Sequence, residues 1–287
     1  MDKHAMSIGR RFCFLLLPIL AIALHYGMSG ILLYGFYSFF TNVLQLTQEQ
    51  FAAFYGWTEI FVNFVLIILF FAVYRWVFQR DRGEKSGLPD AKGTAMSLIA
   101  GAGISGVSYL WIMLAKNIPA FRESLSAMEA ANKSIEGGSG LELILTVVIV
   151  APLVEELLFR GIVFRSMQKV FPVWISIMLS AIMFGAYHMN LIQTVYATFM
   201  GIVAGIIYYK TNRLIYPMIV HAANNFIGAM QSFIPSKAGS LMVDMFSLIM
   251  IIPMCYTSCV PLYSITSLSM YAFLRRTSFK SVYYQKK

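Results

Sequence analysis

Long apolar runs recur along this chain of 287 residues and constrain its fold more than any other feature. Hydrophobic residues make up 59% of the sequence and charged residues only 12%, whereas a soluble domain has about 25% charged residues. A helix needs about 20 apolar residues to cross the hydrocarbon core of a bilayer. The sequence therefore predicts an all-α, polytopic membrane protein whose surroundings are a lipid bilayer.

About eight runs have this length and predict about eight transmembrane helices. They lie near residues 12–40, 57–78, 94–115, 141–164, 172–188, 191–209, 214–233 and 241–274. The longest polar segment, residues 116–140, is too short for a soluble module and is predicted to be either an amphipathic helix on the outer surface or a solvated loop. We therefore expect one integral membrane domain over residues 1–287.

Positive charge alternates between successive loops. The net charge of +9 could suggest nucleic acid as a partner, but the pattern fits the positive-inside rule instead. If the N-terminus is cytoplasmic, 17 of the 22 Lys and Arg residues lie on that side: Lys3, Arg10, Arg11, Arg75, Arg80, Arg82, Lys85, Lys92, Arg165, Lys169, Lys210, Arg213, Arg275, Arg276, Lys280, Lys286 and Lys287. The sequence thus predicts a multi-pass protein of the cell membrane with both termini cytoplasmic and no nucleic acid partner.

The first apolar run has two readings. Basic residues precede it and small residues stand at positions 21 and 23, a pattern that is also typical of a cleaved signal peptide. The apolar character continues to Phe40, however, which favours a retained first helix.

Polar and ionisable residues inside the apolar runs are confined largely to three predicted helices. Such groups are costly in a membrane and usually face the bundle interior, where they mark function. The three patterns are EExxxR (Glu155, Glu156, Arg160), FxxxH (Phe184, His188) and HxxxN (His221, Asn225). Each pattern alone has a structural explanation, either a salt bridge or interhelical hydrogen bonds. Their occurrence in order over about 70 residues favours a functional site.

Helical spacing separates the two adjacent glutamates. Glu156 lies one turn from Arg160 and can pair with it, whereas Glu155 points about 100° away. We therefore expect Glu156 to be neutralised by Arg160 and Glu155 to be available as a general base. Pro152, just upstream, removes a backbone hydrogen bond and predicts a kink beside the site.

The other two motifs complete a constellation for hydrolysis. His221 and Asn225 share a helix face, and both can donate hydrogen bonds to an oxygen that becomes negative. Phe184 is one turn from His188 and is expected to fix its ring. The resulting hypothesis is that Glu155 and His188 deprotonate a water, which attacks a peptide carbonyl held by His221 and Asn225.

The position of His188 sets a geometric requirement. His188 falls near the end of its predicted helix, close to the turn at Met189 and Asn190, whereas Glu155 lies near the middle of its own span. The site can close only if this turn is recessed below the outer surface.

Together the three motifs resemble the signature of the CPBP family of intramembrane proteases, named after CAAX proteases and bacteriocin-processing enzymes and also called the Abi family. They lie within residues 141–233, the expected catalytic core. The resemblance implies a metal-independent glutamate endopeptidase without a cofactor and assigns the roles as follows: Glu155 and His188 activate water, His221 and Asn225 stabilise the oxyanion, and Glu156, Arg160 and Phe184 support them. Asn224 is grouped with the supporting residues, although no role is assigned to it.

The implied substrate is a peptide or a membrane protein. For bacterial members, the resemblance points to the processing of bacteriocins or pheromones, or to self-immunity against them. A prenylated CAAX substrate is not implied.

Other readings remain open at this stage. Two Glu and two His residues could ligate zinc, but the chain has no HExxH motif and Arg160 would repel a cation.

GxSG occurs at residues 27–30 and 103–106, as in a serine protease of the rhomboid type, but these residues and GIVAG at 201–205 are also typical of close helix packing. A non-catalytic scaffold, regulator or immunity protein is the alternative from a different class, and a transporter is less consistent with one compact polar constellation.

Overall fold

A computed structural model describes residues 6–78, 89–136, 139–234 and 236–257, and every regular element in these ranges is helical. The helices are α1 (Ile8–Ser38), α2 (Gln48–Ala52), α3 (Tyr55–Phe78), α4 (Ala91–Ala115), α5 (Arg122–Glu136), α6 (140–170), α7 (Val173–Tyr187), α8 (Leu191–Thr211), α9 (Ile215–Phe233) and α10 (Lys237–Thr257). A π-helical turn, Phe39–Val43, extends α1. The predicted all-α class is confirmed.

Five of the described helices are long and apolar enough to cross a membrane: Ile8–Val43, Tyr55–Phe78, Ala91–Ala115, Leu191–Thr211 and Lys237–Thr257. The chain is therefore a multi-pass membrane protein. Each of the eight predicted runs coincides with a helix in its described part, but eight spans remain a prediction because α6, α7 and α9 do not meet the same criterion. Part of the last predicted run, residues 258–274, lies outside the described residues, as do most of the basic loop near residues 80–93 and the basic C-terminus.

The polar segment 116–140 contains the helix α5, so the helical alternative is the correct one. One face of α5 is apolar. Leu125 is buried in a cluster with Ala115 and Ile192, and Phe121 and Met128 pack against it. α5 is therefore held against α4 and the start of α8 and is not a solvated loop.

α6 changes its hydrogen-bond register twice. Two π-helical stretches, Ile144–Val150 and Leu157–Phe164, lie on either side of the α-helical stretch Ala151–Glu156. The N–H of Ala151 bonds to the carbonyl of Thr146, five residues back. The kink predicted at Pro152 is thus seen as a π-helical stretch in the residues directly before the proline. Such stretches often occur at functional sites.

Glycines allow the helices around α6 to approach closely. A Cβ placed on Gly201 of α8 would lie 2.9 Å from the Cα of Ala181 on α7. A Cβ on Gly101 of α4 would overlap the carbonyl of Val220 on α9, and one on Gly106 would overlap backbone atoms of Ser247 on α10. The packing interpretation of GIVAG and of GISG at 103–106 is confirmed for Gly201 and Gly106.

Candidate active site

The three motifs meet at the centre of the helix bundle. α6 carries Glu155, α7 ends at His188, and α9 carries His221. The Oε2 atom of Glu155 lies 4.0 Å from Nε2 of His188 and 3.8 Å from Nε2 of His221. The turn after α7 thus brings His188 to Glu155, as closure of the site requires, while its depth in the bilayer stays a prediction.

Glu156 and Arg160 form a buried ion pair behind these side chains. The Nη1 atom of Arg160 donates to Oε1 of Glu156 at 2.8 Å, and both side chains are at most 1% exposed. Nη2 of Arg160 donates to the carbonyl of Gly201 at 3.1 Å, and the guanidinium lies 4.9 Å from the ring centre of Phe184. The predicted pairing is confirmed. Because the arginine also binds α8, the pair joins two helices.

Glu156 also orients His221. Nδ1 of His221 lies 3.0 Å from Oε1 of Glu156. A carboxylate can only accept, so Nδ1 carries the hydrogen and donates it. Nε2 of His221 is thereby directed toward Glu155, and the ring orientation is fixed by a buried anion.

His188 is oriented by its own helix. Its Nδ1 atom lies 2.9 Å from the backbone carbonyl of Phe184. A carbonyl only accepts, so Nδ1 is again the donor, and in neutral His188 the lone pair is on Nε2, which faces Glu155. The Phe184 ring contacts both histidines edge to face, at centroid distances of 4.9 Å to His188 and 5.6 Å to His221. The expected role of Phe184 as a support for His188 is therefore extended to His221.

The turn that follows His188 is anchored to α5. Asn190 caps α8 by accepting from the N–H of Gln193 at 3.1 Å. Its Nδ2 atom donates to the carbonyl of Ser124 at 2.8 Å, and Oγ of Ser124 donates back to Oδ1 of Asn190 at 3.0 Å. Sequence reasoning missed this link: the Asn cap is a readable signal, but nothing in the sequence indicates Ser124 as its partner.

Asn225 is tied to the backbone of α6. Its Nδ2 atom donates to the carbonyl of Val147 at 2.9 Å. In the π-helical register the donor to this carbonyl would be residue 152, which is a proline without an N–H. Asn225 thus satisfies a carbonyl that Pro152 leaves without a partner.

Asn224 has a structural relation to Asn225 that the sequence could not assign. Its Nδ2 atom donates to Oδ1 of Asn225 at 3.1 Å. This bond places Oδ1 of Asn225 toward Asn224 and its NH₂ group toward Val147. One hydrogen of that NH₂ group is donated to Val147, and the second is available to another acceptor.

Residues 138–227 match the family described as type II CAAX prenyl endopeptidase Rce1-like. All the motif residues lie within this segment. This segment of the chain is therefore similar to the CAAX proteases. A second match is to a Bacillus subtilis (strain 168) protein named "Putative membrane peptidase YdiL", which is 31% identical over 84 residues, or 29% of this chain. The chain covers 34% of the length of that relative. No solved structure matches the chain significantly.

In the segment that is similar to the CAAX proteases, the motif side chains line a cavity of about 810 Å³, a volume in the usual range for ligand pockets. They are Glu155, Phe184, His188, His221, Asn224 and Asn225. Glu156 and Arg160 do not line the cavity, because they lie beneath it in the protein interior. The arrangement thus separates the groups that could contact a ligand from those that hold them in place.

One wall of the cavity is aromatic and was not anticipated from the sequence. Tyr187 and two residues of α1, His25 and Tyr26, line it. The hydroxyl of Tyr26 donates to the carbonyl of Tyr187, and the hydroxyl of Tyr187 lies 3.1 Å from Nδ1 of His25. The available signal was a histidine inside an otherwise apolar first helix, which usually has a buried partner.

Metal ligation was the nearest alternative chemistry. Within the described ranges, no three His, Cys, Asp or Glu side chains come together in a way that could hold a metal ion. The arrangement of Glu155 beside two histidines is one that can accept a proton from water.

Proposed function

We propose that the chain is an intramembrane endopeptidase that hydrolyses peptide bonds of a peptide or membrane-associated substrate. The observation that carries the proposal is the Glu155 carboxylate, which lies within 4.0 Å of two histidines beside a cavity. The similarity of residues 138–227 to the CAAX proteases supports the same reaction class, as does the peptidase name of the bacterial relative.

In the proposed mechanism, Glu155 and His188 activate a water. A water close to Oε2 of Glu155 can also reach Nε2 of His188, because these atoms are 4.0 Å apart. The pair takes one proton from the water, and the oxygen attacks the scissile carbonyl. The same proton then passes to the leaving amine, so that hydrolysis consumes one water and leaves the pair in its starting state.

Stabilisation of the oxyanion is assigned to His221 and Asn225. Asn225 can use its second amide hydrogen, since the first is donated to Val147. His221 donates through Nδ1 to Glu156, so it can donate from Nε2 only when it carries a second proton. Arg160 holds the Glu156 carboxylate in position, and Glu156 in turn orients the ring of His221 so that Nε2 faces Glu155.

The cellular setting is also part of the proposal. The distribution of basic residues supports a protein of the cell membrane with cytoplasmic termini and a single membrane domain. Bacteriocin or pheromone processing, or self-immunity, is the context that the family resemblance favours.

The test is cleavage of a fluorogenic, membrane-tethered peptide panel by detergent-purified protein. Wild type is compared with Glu155→Ala, with His188→Ala and with a chelator-treated sample. The proposal expects cleavage by the wild type, loss in both variants and no effect of the chelator. Loss on chelation would assign the site to zinc. An absence of cleavage, together with a Glu155→Ala variant that retains the cellular function, would assign the chain to the scaffold class.

A further inference from the structure

A second set of oxygen ligands lies along the same cavity, away from the motif residues. Glu59 of α3 and Thr146 of α6 both line the cavity. Tyr55, one turn before Glu59 on the same helix, interacts with the Glu59 carboxylate. Glu142, one turn before Thr146, is buried with 8% of its surface exposed.

The packing of α3 on α6 places these residues at one level. A Cβ on Gly56 would overlap the carboxyl group of Glu142, and a Cβ on Gly161 would lie 3.4 Å from the ring of Tyr74. The two helices therefore run parallel with a constant offset in numbering. That offset brings Glu59 level with Thr146, about one turn along from Glu142.

This group has no cationic ion-pair partner in the part of the chain that the structure describes. Among the described residues, neither Glu59 nor Glu142 has a Lys, Arg or His nitrogen within 4.0 Å. The Oγ1 atom of Thr146 has no hydrogen-bond partner, although the residue is only 8% exposed. Buried polar atoms of this kind are costly unless something binds them.

The Lys side chain in the cavity wall is associated with a different acid. Lys116 also lines the cavity, and its electrostatic partner is Asp244. Oε2 of Glu142 accepts from the N–H of Ser139 at 3.3 Å, so Glu59 and Thr146 are the acceptors along the cavity that match an ammonium or guanidinium group.

We propose that Glu59 and Thr146, with the buried carboxylate of Glu142 about one turn away, form a subsite for a Lys or Arg side chain of the substrate. The inference rests on the peptidase function proposed above. It adds a charge preference that the catalytic constellation does not explain.

The spacing along α6 predicts where the basic residue lies in the substrate. Thr146 is nine residues before Glu155 on the same helix, which corresponds to about 13 Å. Val147, Ala151 and Val154 line the cavity between them. An extended peptide rises about 3.3 Å per residue, so the Lys or Arg is expected about four residues from the scissile bond.

A position-scanned peptide library tests the subsite. Each alanine-rich peptide carries one Lys at a different position and is matched by a peptide with Gln in its place, and cleavage is measured by mass spectrometry. For the wild type we expect cleavage to be about tenfold faster with Lys at one position about four residues from the cut. Glu59→Gln is expected to lower this Lys-to-Gln ratio to about 1, whereas the exposed Glu49→Gln leaves it unchanged. A wild type without a Lys preference at any position overturns the proposal, and so does Glu59→Gln with an unchanged ratio.

A binding measurement separates failure of the subsite from failure of the peptidase proposal. Fluorescence anisotropy of the same labelled Lys and Gln peptides is recorded with Glu155→Gln protein, with and without Glu59→Gln. Tighter binding of the Lys peptide that depends on Glu59 supports the subsite even if no peptide is cleaved. Equal binding of the two peptides at every position contradicts it, whether or not cleavage occurs.

Discussion

Adjacent glutamates at positions 155 and 156 have different environments because a helix turns about 100° per residue. Glu156 is fully buried and contacts both Arg160 and His221. Glu155 is 14% exposed and faces the cavity, with its Oε2 atom close to two histidines and without a hydrogen bond. One carboxylate therefore stabilises the site, and the other is available to a ligand.

Removal of Arg160 should destabilise the fold. Arg160→Met leaves the carboxylate of Glu156 buried without its cation, and the loss of one partner of a buried pair costs about 3–5 kcal/mol. Thermal unfolding in detergent measures the change. The double variant Glu156→Gln/Arg160→Met should recover part of it, and Glu129→Gln on the exposed side of α5 should have no effect. An Arg160→Met protein as stable as the wild type would contradict a structural role for the pair.

The sequence predicted most of the residue-scale geometry where one helix was involved. The Glu156–Arg160 pair and the common face of His221 and Asn225 follow from a spacing of four. The partners contributed by other helices could not be predicted, since the carbonyls of Gly201 and Val147 have no side-chain signature. Only the packing of α6 on α8 and α9 brings these acceptors to Arg160 and Asn225.

The close contact between the helices α7 and α8 determines where His188 lies. Gly185 lies three residues before His188, and a Cβ at this position would overlap the carbonyl of Thr194 and the hydroxyl of Thr198 on α8. The two helices therefore touch backbone to backbone, as is common for glycine in membrane helices.

Substitution of Gly185 by alanine should separate these helices. We expect Gly185→Ala to cost about 1–3 kcal/mol, because overpacking forces backbone shifts, and to lower peptide cleavage by displacing His188. Gly27→Ala on α1 is the matched control, since a Cβ there meets no atom within 4 Å. Thermal unfolding and cleavage rates give the two readouts. Equal behaviour of the two variants would mean that α7 does not need this close approach.

The start of α4 is fixed to α9 by a capping residue. The carboxylate of Asp90 accepts from the N–H of Gly93 at 2.8 Å and from the hydroxyl of Tyr216 at 2.5 Å. The hydrogen bond from Tyr216, followed by the one from Gly93, lowers the pKa of Asp90 below its ordinary value. A lowered pKa in the folded state contributes stability above the ordinary carboxyl range, and this stability is lost as the pH falls through the folded-state pKa.

Tyr216→Phe should therefore have a pH-dependent effect. At neutral pH the variant is expected to unfold at a lower temperature than the wild type, and the difference should shrink as the solution is acidified below the ordinary Asp range of about 4. Asp90→Asn, which cannot titrate, serves as the control. A Tyr216→Phe difference that grows on acidification would contradict the assignment.

Orientation in the membrane is the main prediction at the scale of the whole molecule. Most Lys and Arg residues fall in loops that the positive-inside rule assigns to the cytoplasm. A fluorescent protein fused after Lys287 should therefore fluoresce, and alkaline phosphatase inserted between Gly137 and Gly138 should be active. The reverse result at both positions would invert the topology.

The helical class and the order of the apolar helices followed from the sequence, whereas the shape of the bundle did not. Hydropathy locates a span but carries little information on its neighbours, because lipid and protein are equally apolar. The register of α3 on α6, which brings Glu59 level with Thr146, depends on the close approach at Gly56 and could be found only from the packed structure.

The central claim is that Glu155 carries the hydrolysis, and the most direct measurement is the cleavage rate of Glu155→Gln. The variant keeps the size of the side chain and removes the base. With the folded fraction verified by size-exclusion chromatography, we expect a decrease of about 10²–10⁴-fold relative to the wild type and to Glu129→Gln. A Glu155→Gln rate within threefold of the wild-type rate would contradict the mechanism.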